Sequence, residues 1–181
     1  MQNKSIKDLK IAISGKSGCG NSSVSKIVAA HFNYTLINYT FHNMADEIGM
    51  KFKKFCSMVE KDSMYDIELD KKLLELAKQP GCVLGSRLAI WLLKDADLKV
   101  YLTAASNVRA KRIAHRENID SNESYNNMMN RDKRDRARFI NLYNIDINNF
   151  DIADLIIDTE KTDKNGVAKL IIGEIKKKIN S

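Results

Sequence analysis

A single proline and eight glycines in 181 residues leave no room for a flexible linker, so one domain spanning 1–181 is expected. No apolar run approaches the ~20 residues needed to span a bilayer. The polar start, Met1 to Lys10, lacks the apolar stretch of a signal peptide. A cytoplasmic location with no membrane partner is the expectation. The three cysteines, Cys19, Cys56 and Cys82, are odd in number, far apart and without a C-x-x-C pair, which argues against a disulfide framework or a zinc site. Cys19 is expected to be a small filler. Aromatic residues make up 7% of the chain, few for a platform that stacks single-stranded nucleic acid. No Ser-His-Asp or paired-carboxylate arrangement is visible.

The hydrophobic fraction of 44% and the charged fraction of 29% are those of a soluble globular protein. The net charge of +7, spread along the chain and not confined to a tail, points to anionic partners: nucleotide polyphosphates or nucleic acid.

Short runs rich in Val, Ile and Leu predict buried strands at Leu9–Ser14, Cys82–Gly85, Leu98–Thr103 and Leu155–Asp158, with a weaker one at Thr35–Asn38. Helical spacing of Val24, Ile27, Val28 and Phe32 predicts a helix over Ser22–Phe32. Leu69, Leu73, Leu74 and Ala77 do the same for Ile67–Lys78, which Pro80-Gly81 should stop. Alternating strands and helices give an α/β doubly wound fold, a parallel sheet with helices on both faces. Two helical insertions interrupt it, one over 40–80 and a polar, charged one over 118–149. The second is expected to be a lid that excludes water.

Between the first strand and the first helix lies Gly15-Lys16-Ser17-Gly18-Cys19-Gly20-Asn21-Ser22-Ser23. Both glycines of the G-x-x-x-x-G-K-[ST] phosphate-loop template are at the right spacing, Ser22 holds the hydroxyl position, and Asn21 stands where the lysine should be. Glycines let successive N–H groups converge on an anion, and the helix N-terminus adds its dipole. Ser22 is the candidate ligand for a magnesium ion that bridges phosphates. Lys16 supplies positive charge from another position in the loop.

Arginines form a second pattern. Arg109, Arg112 and Arg116 share one face of a predicted helix, and Arg131, Asp135 and Arg138 share a face of the next, with Arg134 and Arg136 to the sides. Such runs are often solvated faces. Their position after strands of a phosphate-loop sheet, and the match of the guanidinium fork to phosphate oxygens, favour a binding role. Asp135 could pair with its neighbouring arginines or accept from a ribose hydroxyl. Arg87 lies just past the third strand, at the carboxyl edge where ligands of open α/β sheets sit, or else caps the next helix.

These residues resemble the nucleoside monophosphate kinases, specifically the cytidylate kinase-like branch whose phosphate loop lacks the lysine. The match covers nearly the whole chain: Arg131-Asp132-x-x-Asp135-Arg136-x-Arg138, Tyr143, Ile145-Asp146 and Asp154 to Thr159, with Val108-Arg109-x-x-Arg112-Ile113-Ala114-x-Arg116, Ile67 to Asp70, and Arg87-Leu88-Ala89-x-Trp91. The resemblance implies a P-loop NTPase-type sheet with a monophosphate-binding insertion and a lid. It implies that Gly15 to Ser23 hold the phosphates of ATP, with Mg2+ on Ser22. Arg112 would lie near adenine and Arg116 would reach a phosphate. Arg87, Arg131 and Arg138 would bind the acceptor phosphate or the transferring group, and Asp135 the acceptor ribose. Three positions depart from the family: His42 stands where an arginine usually meets the acceptor phosphate, Gly85-Ser86 replaces Glu-Gly, and Asn21 replaces Thr or Gly.

The implied activity is ATP-dependent phosphoryl transfer to CMP and dCMP by in-line displacement, with positioning and charge supplying the rate. The expected partners are small nucleotides, with no nucleic acid, and the expected state is a monomer. Two other readings stay open on sequence alone. One is a nucleotide-binding module that has lost catalysis, which Asn21, His42 and Gly85 would support. The other is RNA binding through the arginine stripes.

Overall fold

Alternation along each strand decides which face of the sheet every side chain covers. In the computed structural model, which describes residues 5–59 and 62–180, β1 (Lys10–Gly15), β2 (Thr35–Ile37), β3 (Cys82–Gly85), β4 (Leu98–Thr103) and β5 (Leu155–Asp158) form one parallel sheet in the order β2-β3-β1-β4-β5. Ile11, Ile13, Val83, Leu98, Val100 and Leu102 point to one face. There they meet Val24 and Val28 of α1 (Asn21–Phe32) and Val167, Ile171 and Ile175 of α8 (Lys164–Asn180). Ala12, Cys82, Leu84 and Tyr101 point to the other face, against Leu73 and Ala77 at the end of α4 (Met64–Leu76) and Ala89 and Ile90 of α5 (Ala89–Leu92). Both faces are buried, which is why the strands read as continuous apolar runs.

Strand boundaries agree with the sequence reading to one residue, and the helix predicted from Ile67 begins three residues earlier, at Met64. It ends at Leu76, before Pro80, and Gly81 turns the chain into β3 with φ +65°. The first insertion holds α2 (Phe41–Glu47), α3 (Phe52–Val59) and α4, with a small core of Ala45, Phe55 and Val59 against Phe41 and Tyr65. Residues 60 and 61 of that insertion lie outside the described residues. The second insertion is a helical hairpin of α6 (Ser106–Glu117) and α7 (Ser121–Tyr143). Asn118 ends α6 at φ 53°, Asp120 accepts the amides of Asn122 and Glu123 to start α7, and Asn144 ends it at φ 55°. Among the described residues no helix is long and apolar enough to cross a membrane.

The strand order reverses on either side of β1, so the turn from β1 to α1 opens at the switch point of the sheet, where ligands of such folds bind. Close packing there explains Gly85. A methyl carbon at position 85 would lie 2.6 Å from Ser25 Oγ and 3.0 Å from Ser25 Cβ, and Ser25 is fully buried on α1. Gly85→Ala is expected to lower stability by about 1–3 kcal/mol through overpacking. Adding Ser25→Ala should recover part of that loss, as denaturant unfolding of the single and double variants would register.

Candidate active site

The loop between β1 and α1 is built from short contacts. Gly15 passes so close to β4 that a methyl carbon there would lie 2.8 Å from the Leu102 carbonyl oxygen. Gly18 sits at φ +84°, against the Arg109 backbone on α6, and Gly20 at φ +92° is the N-cap of α1. Cys19 is buried in the main core as a filler, and burial pushes its thiol above the ordinary value.

Three arginines grip this loop, two from α6 and one from just past β3. Arg109 is buried on α6 and donates to the Ser17 carbonyl (3.1 Å) while it pairs with Asp132 of α7 (2.7 Å). Arg112, one turn on, donates to the Gly18 carbonyl (3.2 Å) and to Thr159, at 2.9 Å to the hydroxyl and 2.6 Å to the carbonyl. Both therefore bind the carbonyl side of the loop, which leaves the opposite, N–H side for anions. Arg87, just past β3, instead donates to the Ser17 hydroxyl at 2.9 Å.

Arg87 also begins a row of alternating charges. Its other guanidinium nitrogen donates to Asp135 Oδ2 on α7. Asp135 Oδ1 accepts from Arg138 at 3.1 Å, and Arg138 pairs in turn with Asp66 of α4 at 3.4 Å. The carboxylates are almost fully covered, with 8% of the Asp135 side chain and 4% of the Asp66 side chain accessible. One turn further along α4, Asp70 accepts from the Tyr143 hydroxyl at 2.7 Å. Burial pushes the Asp70 carboxyl up to about 6, against the opposing pull of that hydrogen bond. Burial also raises Asp66, with Arg138 pulling it back.

The lysine position of the loop carries structural bonds. The Asn21 amide donates to the Ser86 carbonyl (3.2 Å) and its oxygen accepts from Ser25 (3.2 Å), which ties α1 to the end of β3. Lys16 donates to Asn148 at 2.6 Å, across the mouth of the loop. Ser22 and Ser23 are exposed on the first turn of α1, and the Ser22 hydroxyl has no hydrogen bond among the described residues. A hollow lined by Gly15, Lys16, Arg87, Tyr101, Asp132 and Asp135 lies over the loop.

Other residues singled out by sequence fall apart from this cluster. Arg116 is exposed and pairs with its neighbour Glu117 (2.7 Å). It is seven residues beyond Arg109, so about 10 Å further along α6. Arg131 lines a groove of about 700 Å³ between α6 and α7 with Ile113, Met128 and Arg134, and makes no hydrogen bond among the described residues. His42 is exposed on α2, its ring stacked on Phe52 with centroids 3.3 Å apart. Asp135 takes up one of its two sequence readings, the pairing with arginines. Sequence reasoning placed Arg109 in a stripe favoured for binding without giving it a partner, and gave no site role to Asp132, Asp66, Asp70 or Asn148. The pair Asp66 and Asp70, spaced i,i+4 on one face of α4, was the available signal.

The family model of the cytidylate kinase-like family matches residues 10–161. The chain is 45% identical over 174 residues to cytidylate kinase 2 of Borrelia garinii subsp. bavariensis, covering 94% of this chain and 98% of that one. It is 39% identical over 165 residues to cytidylate kinase of Pyrococcus horikoshii, covering 90% and 86%. Among solved structures, shikimate kinase from Bacteroides thetaiotaomicron superimposes with a TM-score of 0.63 at 16% identity, covering 93% of this chain and 98% of that one. Deoxyadenosine kinase from M. mycoides with bound dCTP gives 0.59 at 16% identity, covering 93% and 100%. At those identities the structural likeness speaks for the fold.

The Asp70–Tyr143 contact generates a pH dependence. A carboxyl held near 6 in the folded chain and near its ordinary 3.8 in the unfolded chain binds its proton more tightly when folded. Ionised Asp70 therefore costs stability above pH 6, and the cost disappears as pH falls through 6 toward 4. Asp70→Asn, which keeps an acceptor for Tyr143, should be the more stable protein at pH 7.5 by about 1–3 kcal/mol. That advantage should shrink steadily by pH 5. Thermal melting of both proteins across that range is the measurement, and a constant difference would contradict the assignment.

Proposed function

This chain belongs to the cytidylate kinase-like family, and on that premise we propose that it transfers the terminal phosphoryl group of ATP to CMP, and to dCMP, giving the diphosphate. The observation that carries this reading is the position of Arg87, bonded to the loop at Ser17 and to Asp135 of α7. One guanidinium thus spans the place where donor and acceptor phosphates must meet.

The attacking group is a phosphate oxygen, already a nucleophile, so no general base is needed and the work is positioning and charge neutralisation. The backbone N–H groups of Gly15 to Ser23 cradle the donor phosphates, with Arg109 and Arg112 holding the loop's carbonyls turned away. Lys16 exchanges Asn148 for a phosphate oxygen. Ser22, with its hydroxyl unengaged, fits the role of a protein ligand to magnesium carried on the nucleotide. Among the described residues no cluster of three or more His, Cys, Asp or Glu side chains offers a separate metal cage. Mg2+ held there would supply neutralisation of the phosphate oxygens.

Arg87 trades the neutral Ser17 hydroxyl for a phosphate oxygen, because a charge-assisted bond to phosphate is the stronger, and Arg138 adds a phosphate oxygen to its two carboxylate contacts. The α6–α7 hairpin serves as the lid that brings Arg131 to the transferring group and excludes water. The insertion of α2, α3 and α4 receives the monophosphate, with His42 at its outer edge. Asp135 holds Arg87 and Arg138 in place and presents its carboxylate to the acceptor ribose. The protein acts as a monomer in the cytoplasm, in pyrimidine nucleotide metabolism.

A coupled assay of ADP release with CMP, dCMP, UMP and AMP tests the reading directly, and absence of turnover with CMP would refute it. Two arginine variants divide chemistry from scaffolding. Arg131→Ala is expected to reduce turnover about 10³-fold, the scale of an arginine on a transferring phosphoryl group, with melting close to wild type because it breaks no ion pair among the described residues. Arg138→Ala should lose turnover and also about 3–5 kcal/mol of stability, because Asp66 is left buried without its partner. Kinetics and melting on the same preparations provide the check.

A further inference from the structure

Asn21 stands where the phosphate-loop template has its lysine, and the protein holds its side chain from two sides. The amide NH2 donates to the Ser86 carbonyl (3.2 Å) and the amide oxygen accepts from the Ser25 hydroxyl (3.2 Å). The partners fix this orientation, because a carbonyl only accepts and must meet the NH2 side.

The bond to Ser86 holds a single peptide unit. The Ser86 carbonyl and the Arg87 N–H belong to one rigid plane. A group that fixes the carbonyl therefore also sets the direction from which the Arg87 side chain leaves the backbone. That peptide lies past the sheet: β3 ends at Gly85 and α5 begins at Ala89. The Ser86 carbonyl also receives the Ala89 N–H, at the longer distance of 3.5 Å. Room for the Asn21 contact is built into the strand. A methyl carbon at Gly85 would lie 3.6 Å from Asn21 Oδ1 and 2.6 Å from Ser25 Oγ, so both side chains pack where one on β3 would stand. At its far end, the Arg87 guanidinium is bonded to Ser17 and Asp135. The proposed reaction exchanges the Ser17 bond for a phosphate oxygen, so the tip gives up one anchor as donor and acceptor meet. The backbone under Arg87 must hold at that moment.

We propose that Asn21 is a positioning residue for phosphoryl transfer: through the Ser86 carbonyl it sets the peptide from which Arg87 reaches the phosphates, and it touches neither substrate. This rests on the reading of the chain as a kinase of cytidine monophosphates and on the place of Arg87 in it. The lysine position of the loop thus serves a cation on another segment instead of supplying one. A lysine at 21 cannot accept from Ser25, which is fully buried and would lose its partner.

The test is a double-mutant cycle of Asn21→Ala and Arg87→Ala in the full chain. Its readouts are kcat, KM for CMP and for ATP, titration of CMP and ATP binding, and melting, with rates normalised to folded protein. Asn21→Ala should lower kcat about tenfold to a hundredfold, the scale of a misplaced group at a reacting centre. The KM for CMP should rise and ATP binding should stay close to wild type, because the loop N–H groups are kept. In the Arg87→Ala background the same change should cost less than about twofold, since residues that act as one unit are not additive. Where turnover is too slow to read, the CMP titrations close the same cycle. Ser25→Ala, which removes the packing bond and leaves the bond to Ser86, should turn over close to wild type. Asn21→Lys should lose turnover. Additive losses in the cycle would mean that Asn21 does not act through Arg87 and overturn the proposal. A loss in Ser25→Ala equal to that of Asn21→Ala would assign the effect to helix packing and overturn it as well. So would turnover kept or gained in Asn21→Lys, which would place the deficit in the charge of the loop. A wild-type protein that does not phosphorylate CMP overturns the kinase reading and this proposal with it; wild-type turnover of CMP with an additive cycle removes this proposal alone.

Discussion

The row of alternating charges from Arg87 through Asp135 and Arg138 to Asp66 is the interaction on which the arrangement of the site depends. It joins the end of β3, the helix α7 and the insertion helix α4, beside the apolar contact of Leu88 with Phe139 of α7. Each carboxylate is buried, so each needs its arginine, and each arginine needs the carboxylates on both sides to keep its fork in place. An apolar contact of the same size would hold the helices together as well, and with less desolvation cost. It would not leave guanidinium groups facing a phosphate loop. On the proposed function, these cations would stay inside the fold, neutralised by the chain's own carboxylates until a phosphate replaces them.

That arrangement also accounts for the missing loop lysine. In the usual template one flexible ammonium in the loop reaches the phosphates. Here position 21 ties α1 to the end of β3 through Ser86 and Ser25, and the positive charge at the loop stands on arginines just past β3 and on α6. Two of them turn the loop carbonyls outward and so prepare its N–H side without touching a ligand. Fixed donors that need no rearrangement contribute more at the moment of transfer than a mobile one that must be ordered first.

Much of this was legible in the chain, and the rest was hidden for identifiable reasons. The strands, the loop and the order of elements follow from apolar runs, glycine spacing and helical periodicity, all local signals. Arg112 shares its predicted face with Arg109, and both reach the loop; Arg138 shares its face with Asp135, which it meets. Arg116 shares the predicted face of Arg109 and Arg112 and pairs with Glu117, because a helical wheel shows angle and not distance along the axis. Asp66 and Asp135 meet only through Arg138, across a sequence separation that no periodicity reports. His42 was singled out by comparison with an arginine of relatives, whereas its ring is stacked on Phe52. A stacked, exposed imidazole is held by its face, so its edge nitrogens remain at the rim of the insertion.

The same geometry constrains how the site can open. Asp135 serves two arginines at once, and Arg138 serves two carboxylates at once, so no member can leave the row without exposing a buried charge on its neighbour. A single phosphate that engages Arg87 alone leaves Asp135 under-neutralised unless Arg138 moves closer to it, which loosens Asp66 on α4. On the proposed function, binding at the β3 end would be felt at the insertion, and binding at the insertion would be felt at the loop through Ser17. The two substrates would then be coupled by charge balance along one row of four side chains, with no movement of the sheet beneath them.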